Sequence, residues 1–276
     1  MRVVVDRTGL DRQAASTSRT GRFETGWMTS EANLAALADL SGASIDRVHA
    51  RRPQTTIVLD MDSSVSETHG AQEGSAYNGH FGCTCYHPLV VFNQFGDLER
   101  RSLGSGNVHG ASDWRDVLAP VAARYRHAMK RRYFRGDAAY ASPAIYEFLE
   151  GEGYKYTIRL PANADLRERI GWLLKRPVGR PPHAVRRYYA SFSYQAASRN
   201  KPRRMVAEVE WHPDELYPRV GFIVINMTRP PERVTLFYHR RGTAAQHVKK
   251  ERTRSPRRAC PVSGSLQTRC GSRFMP

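Results

Sequence analysis

The segment from Ile57 to Ser63 reads IVLDMDS, an apolar run that ends in two carboxylates. Side chains alternate between the two faces of a β-strand, so Asp60 and Asp62 lie on the same face. Two acids at this spacing repel each other unless a cation or a basic side chain lies near them. The alternative is a strand that ends in solvent, where an aspartate costs little. The segment therefore predicts either a cation site or the exposed end of a strand.

A second short strand ends in the same way. Residues Tyr133–Asp137 read YFRGD, about 75 residues after the first segment. Carboxylate oxygens are hard ligands that suit Mg²⁺, and a phosphodiester supplies further oxygens of the same kind. Two strands that end in aspartate, in a strongly basic chain, therefore favour an α/β protein that holds a metal ion against a nucleic acid.

The charge of the chain supports a polyanionic partner. Its 276 residues contain 43 Lys and Arg against 26 Asp and Glu, a formal net charge of +17. Such an excess is typical of nucleic-acid-binding proteins. We find no apolar run long enough to span a membrane and no secretory signal behind Met1. We also find no basic amphipathic helix with Trp, Phe and Leu on its other face, so we expect no membrane partner. Four cysteines do not make a disulfide framework in a chain of this length, which favours a protein of the reducing cytoplasm.

Hydrophobic periodicity predicts helices and strands in alternation. A short helix is expected over Asn33–Leu40, with Ser30 as its N-cap and Gly42 as its stop. A hairpin is expected to turn at Gly96-Asp97. Further strands are predicted at 55–62, 132–134, 154–160, 187–194, 205–211 and 219–227, and further helices at 113–127, from 142 onwards, and from 231 to about 251. The pattern is that of an α/β protein.

The same reading divides the chain into five parts. The head and the tail lack apolar periodicity, and the tail is rich in arginine and proline, so both are predicted to be disordered. The predicted parts are a disordered head (1–22), the first part of the core (23–161), a β-rich insertion (162–230), a C-terminal core helix (231–252) and a basic disordered tail (253–276).

Six short motifs together resemble the DDE transposases of bacterial insertion sequences. They are LDMDSS from Leu59, HGAQEGSAYNG from His69, YHPL from Tyr86, GNVH from Gly106, RGDAAY from Arg135 and FYHRRGT from Phe237. The resemblance runs from about Gly21 to Glu251, and the motifs fall in the order found in the family. The resemblance implies an α/β fold with an RNase H-like core, a mixed sheet flanked by helices, and an antiparallel β insertion between the second and third catalytic positions.

The resemblance also implies an activity and its partners. Members of the family use Mg²⁺, for which Mn²⁺ can substitute, to cleave DNA strands at element ends and to transfer them to target DNA. The expected partner is therefore double-stranded DNA, both element ends and target, bound by a homodimer or a larger assembly.

Carried over residue by residue, the resemblance assigns two of three catalytic acids. Asp62 matches the first acid and Asp137 the second, and these two are the expected metal ligands, with Asp60 as an alternative. The third acid belongs to the pattern Tyr, two residues, Arg, three residues, Glu, six residues, Lys. Tyr238 and Arg241 fit this pattern, but the position of the glutamate is occupied by Ala245.

The missing acid predicts a transposase with impaired activity. Glu251 is the remaining acid in the region, but six residues of helix displace it by about 9 Å along the axis, so it is a weak substitute. DNA contacts are expected from Tyr238, Arg241, Lys249, Lys250 and Arg252, of which the Lys position of the family pattern falls on Arg252. We further expect a copy truncated at its N-terminus and altered after Glu251. The alternatives are a non-catalytic DNA-binding fragment, either inhibitor or decayed copy, and a stand-alone metal-dependent nuclease.

Overall fold

The computed structural model describes residues 3–5, 11–13, 16–26, 30–70, 72–179, 183–196, 201–213 and 215–241. The strands are β1 (Val3–Val5), β2 (Asp11–Gln13), β3 (Thr56–Ser63), β4 (Ser66–Glu67), β5 (Ala76–Asn78), β6 (Cys83–Asn93), β7 (Leu98–Ser105), β8 (Arg131–Gly136), β9 (Lys155–Leu160), β10 (Arg186–Tyr194), β11 (Arg203–Trp211) and β12 (Arg219–Ile225). The helices are α1 (Thr17–Gly26), α2 (Glu31–Arg51), α3 (Trp114–Tyr125), α4 (Pro143–Gly151), α5 (Ala164–Arg169) and α6 (Pro231–His239). None of the helices in these described ranges has the length and apolarity needed to cross a membrane.

A ten-stranded mixed sheet forms the centre of the molecule. Its order is β10-β11-β12-β9-β8-β3-β6-β4, and β5 and β7 also pair with β6. The strands β3, β6 and β7 are antiparallel, whereas β8 runs parallel to β3 and β9 runs parallel to β8. Three antiparallel strands, with two parallel strands added beside the first, make the expected RNase H-like core.

The predicted β insertion extends this core sheet. The strands β10, β11 and β12 are antiparallel to one another, and β12 pairs with β9, so the four make one continuous surface. The connection that precedes β10 contains α5. Asn163 caps α5 by accepting a hydrogen bond from the amide of Leu166, and the side chain of Leu166 is buried.

The two faces of the sheet are covered differently. Leu59 and Met61 of β3 point into the main core, to which α3 and α4 contribute their apolar sides. On the opposite face, Val234 of α6 packs against residues of β11 and β12. Because side chains alternate along a strand, Asp60 and Asp62 point to the face on which α6 lies.

A buried carboxylate ties the edge of the core together. Glu99 of β7 is 1 % exposed. It accepts hydrogen bonds from the hydroxyl of Tyr125 (2.7 Å) and the side-chain amide of Asn93 (2.9 Å), and it forms an ion pair with Arg124. The backbone carbonyl of Glu99 accepts from the hydroxyl of Ser41, which joins α2 to the same place. These hydrogen bonds and the ion pair offset part of the free-energy cost of removing the Glu99 carboxylate from water.

We expect the free energy of unfolding of the Glu99→Gln variant to depend less on pH than that of the unaltered protein. Burial raises the pKa of Glu99, and its partners only partly offset this. An acid whose pKa is higher in the folded state stabilises the fold fully below its unfolded pKa, and this contribution is lost as the pH rises through the folded pKa. The free energy of unfolding, measured by urea titration from pH 4 upwards, should therefore fall more steeply in the unaltered protein than in the variant. Equal slopes would contradict this assignment.

Three sequence-based expectations differ from the structure. The head was expected to lack order, but β1 pairs with β2, and α1 begins at Thr17. The helix capped by Ser30 was expected to stop at Gly42 but continues to Arg51, because burial of Ile45 offsets the glycine, which costs only about 1 kcal/mol. The last core helix begins at Pro231 as predicted but ends at His239, well before residue 252. The predicted disordered tail (253–276) lies outside the described residues.

Candidate active site

Asp62 and Asp137 meet at one edge of the central sheet. The parallel register of β3 and β8 places Asp60 opposite Arg135. Two residues further along, Asp62 lies near the end of β3 and Asp137 directly follows the end of β8. Carboxyl ends of neighbouring parallel strands share one edge of a sheet, so the fold itself brings the two carboxylates together.

Local backbone contacts orient both side chains. Asp62 Oδ1 accepts a hydrogen bond from the amide of Ser63 at 3.0 Å. Asp137 Oδ1 accepts from the amide of Ala139 at 2.9 Å, because Asp137 is the N-cap of a short 3₁₀ helix at Ala138–Tyr140. The second oxygen, Asp137 Oδ2, faces Arg241 instead.

One guanidinium nitrogen lies between the two carboxylates. Arg241 Nη2 is 3.0 Å from Asp62 Oδ1, 3.5 Å from Asp137 Oδ2 and 3.3 Å from the carbonyl oxygen of Met61. The two carboxylate oxygens are therefore no further apart than the first two distances combined. Three hard oxygen atoms converge on one cationic position.

Burial and mutual repulsion set the protonation of this site. Burial raises the pKa of Asp62, and the charge of Asp137 adds to this, whereas Arg241 opposes it. Desolvation alone would lower the pKa of Arg241, but Asp62 and Asp137 outweigh it and the pKa is raised. The arginine is therefore firmly charged, and the carboxylate pair depends on a cation to stay ionised.

Asp60, the alternative ligand, has a different partner. Its two carboxylate oxygens accept hydrogen bonds from Nε and Nη2 of Arg135, at 2.6 and 2.5 Å. Both side chains are buried, and Arg135 Nη1 also donates to the carbonyl of Phe237 at 3.0 Å. In the structure Arg135 holds Asp60, and it fixes the last turn of α6 to the sheet.

The donor set near Arg241 suits a hard divalent cation. Asp62, Asp137 and the carbonyl of Met61 supply oxygen atoms, which Mg²⁺ and Mn²⁺ prefer to nitrogen or sulfur. Within the described residues no group of three His, Cys, Asp or Glu side chains is placed to hold a metal ion. The site therefore offers two carboxylates where the family pattern expects three.

The remaining predicted site residues fall into two groups. Tyr238 is half-buried and packs against the apolar cluster beneath α6, where burial raises the pKa of its hydroxyl. The others lie outside the described residues, namely Ala245, Glu251, Lys249, Lys250 and Arg252.

Sequence reasoning missed two contributors to the site. Tyr140 is fully buried below the carboxylates, and desolvation, together with Asp137 and Asp62, raises the pKa of its hydroxyl. The sequence feature that could have identified Tyr140 as part of the site is its position in the RGDAAY motif. The second contributor, the carbonyl of Met61, carries no side-chain signal at all.

The sequence profile of the family described as "Transposase DDE domain group 1" matches residues 1–263. This match extends beyond both ends of the resemblance read from the motifs. Among solved structures, a similar one is the "Mos1 transposase paired-end complex with left transposon end", at 14 % identity and a TM-score of 0.25. The similarity covers 53 % of this chain and 50 % of that chain, so it spans half of that transposase. A search of curated proteins found no significant match.

The family match covers residues 1–263, nearly the whole chain. The chain therefore belongs to the DDE transposase family.

Proposed function

We propose that this chain is an insertion-sequence transposase in which Asp62 and Asp137 hold a divalent cation for DNA strand cleavage and strand transfer at element ends. The observation that carries the proposal is the convergence of Asp62 Oδ1, Asp137 Oδ2 and the Met61 carbonyl on one point. We propose Mg²⁺ as the natural ion, with Mn²⁺ able to substitute. A divalent ion bound there would act as a Lewis acid on a phosphodiester.

The chain's own residues prepare this site in a defined way. The backbone amides of Ser63 and Ala139 fix one oxygen of each carboxylate, so their orientation does not depend on the bound cation. Such preorganisation avoids a reorganisation cost when the substrate arrives. The ion pair of Arg135 with Asp60 anchors α6, and hence the segment that carries Arg241, on the same face.

Double-stranded DNA is the proposed partner, as element ends and as target. The net charge of +17 favours phosphate neutralisation, and we propose that Tyr238, Arg241, Lys249, Lys250 and Arg252 take part in it. We propose that two or more copies assemble on DNA, because the substrate has two ends, and that the protein acts at the nucleoid, where the DNA lies.

One observation favours a second candidate, a non-catalytic DNA-binding form. Ala245 stands at the position of the third acid and offers no oxygen to a cation. In a two-metal site, loss of one carboxylate weakens the hold on an ion that serves the attacking or leaving oxygen. We therefore propose strong DNA binding with impaired cleavage.

Binding and cleavage should respond to different changes. We expect the affinity for duplex DNA, measured by fluorescence anisotropy, to fall by several orders of magnitude between 50 and 200 mM salt, as it does for proteins with about 6–10 phosphate contacts. The variants Asp62→Asn and Asp137→Asn should bind at least as tightly, because each removes a negative charge, yet they should abolish any residual Mg²⁺-dependent cleavage.

The substrate decides between the candidate functions. Cleavage is compared on duplexes that carry the element ends and on random duplexes, with Mg²⁺ or Mn²⁺. Cleavage restricted to end-bearing duplexes supports a transposase, and binding without cleavage supports the non-catalytic form. Equal cleavage of both substrates would point to a stand-alone nuclease and refute the proposal.

A further inference from the structure

The side chain of Arg241 is placed where a metal ion would have to lie. It is 15 % exposed, and it enters the site from the turn that follows α6. Within the described residues, the ion pairs that reach Asp62 and Asp137 both come from its Nη2 atom. The same atom lies 3.3 Å from the Met61 carbonyl, so the three oxygens suited to a divalent cation surround a guanidinium nitrogen.

The carboxylates need this charge when no metal is bound. Two half-buried aspartates at adjoining strand ends repel each other, and a nearby cation is what allows both to remain ionised. Arg241 supplies one positive charge against their two negative charges. The arrangement therefore keeps a net negative charge, which still attracts a divalent ion.

The contacts of Arg241 differ from those of a permanent ion pair. Arg135 donates hydrogen bonds from two nitrogens to the carboxylate of Asp60, and from the third nitrogen to the carbonyl of Phe237. For Arg241, all the contacts to the three oxygens come from Nη2, and its buried Nε has no hydrogen-bond partner among the described residues. A forked pair is the stronger and more specific arrangement, so Arg241 is the more easily displaced arginine.

We propose that Arg241 is the resident cation of the metal-free protein, and that Arg241 and a divalent metal ion are alternative occupants of one position. Loading of the site requires the guanidinium to leave the Asp62–Asp137 pair. The population of molecules in which it has left sets the apparent affinity for metal. This inference rests on the metal site of the proposed function and adds a step that controls its occupancy.

The test measures Mn²⁺ binding by calorimetry on the whole chain without DNA. The variant Arg241→Gln removes the competing charge, and Arg233→Gln is the matched control, because it removes the same charge from an exposed position on α6. If the displaced form makes up a tenth or less of the metal-free protein, Arg241→Gln should bind Mn²⁺ about tenfold or more tightly than the unaltered chain. Arg233→Gln should bind as the unaltered chain does.

A second measurement needs no variant. Phenylglyoxal modifies accessible guanidinium groups, and peptide mass analysis reports the rate at each arginine. Saturating Mn²⁺ should increase the modification rate of Arg241 several-fold and leave that of Arg233 unchanged. This readout remains decisive even if Arg241→Gln fails to fold.

The outcomes separate the two proposals. Equal or weaker Mn²⁺ binding by Arg241→Gln, or a modification rate of Arg241 that Mn²⁺ does not raise, would refute the displacement while leaving the metal site intact. If the unaltered chain, Arg241→Gln and Asp62→Asn all bind no Mn²⁺, both the metal site and the displacement are refuted. Tighter binding by Arg241→Gln that Asp62→Asn abolishes supports both.

Discussion

Replacing Ala245 by glutamate is expected to raise Mg²⁺-dependent DNA cleavage by two to three orders of magnitude. The structure brings Asp62 and Asp137 to one position but supplies no third carboxylate within the described residues. Ala245 follows Arg241 by the interval that separates Arg from Glu in the family pattern. Loss of one contributor to transition-state charge stabilisation commonly costs about 10²–10³ in rate, and its return should recover a similar factor. Single-turnover cleavage of an end-bearing duplex measures the effect.

Two controls make this expectation specific. Ala244→Glu adds the same charge one residue earlier and should leave cleavage at the level of the unaltered chain. Asp137→Ala, introduced together with Ala245→Glu, should abolish the gain, because the new glutamate needs the other ligands. Robust cleavage by the unaltered chain that Ala245→Glu does not change would instead assign the third-ligand role to Glu251 or another acid.

The paired aspartates could be foreseen because each depends on a local pattern. IVLDMDS and YFRGD both place an acid at the end of an apolar strand, and the family order of the motifs makes those strands neighbours in the core. The three strands after residue 185 could also be predicted from the sequence, since each is an apolar and β-branched run between turns. Local sequence is informative wherever one segment carries the whole signal.

The partners of these acids could not be foreseen in the same way. Strand periodicity alone does not separate Asp60 from Asp62, since both lie on one face of β3, and only the motif resemblance favoured Asp62. Their difference arises from register, because Asp60 lies opposite Arg135 while Asp62 reaches the end of the sheet. Register between segments 75 residues apart is a property of the assembled sheet.

The ends of the helices, like the partners of the acids, depend on tertiary contacts that local sequence does not reveal. The low helix propensity of Gly42 predicts the end of a helix there. In the structure α2 continues beyond Gly42, because Ile45 is buried in the tertiary fold. At the other end of the chain, periodicity alone extended the last helix too far. In the structure the carbonyl of Phe237 is satisfied by Arg135, and the amide of Arg241 donates to Tyr238, so the helix ends and Arg241 turns towards the carboxylates.

The Arg135→Met variant is expected to lose about 3–5 kcal/mol of unfolding free energy, because it leaves the carboxylate of Asp60 buried without its partner. Asp60 is 2 % exposed, and burial already raises its pKa against the opposing effect of Arg135. Without the guanidinium, Asp60 must take up a proton or draw water into the core. Guanidinium chloride titration at neutral pH measures the loss, with Arg229→Met, an exposed arginine on the same face near Phe237, as the matched control.

A double variant separates the two functions of Arg135. Replacing the pair together, as Asp60→Leu with Arg135→Met, removes the buried charge and should recover most of the stability, since apolar replacements of buried ion pairs are often neutral or stabilising. It cannot restore the hydrogen bond to the Phe237 carbonyl. Amide exchange at the end of α6 should therefore stay faster than in the unaltered protein in both variants, even where global stability returns.

A loss below about 1 kcal/mol in Arg135→Met would show that the pair is not a significant stabilising contact. Unchanged exchange at residues 237–241 would show that Arg135 does not hold the segment that delivers Arg241 to the aspartates.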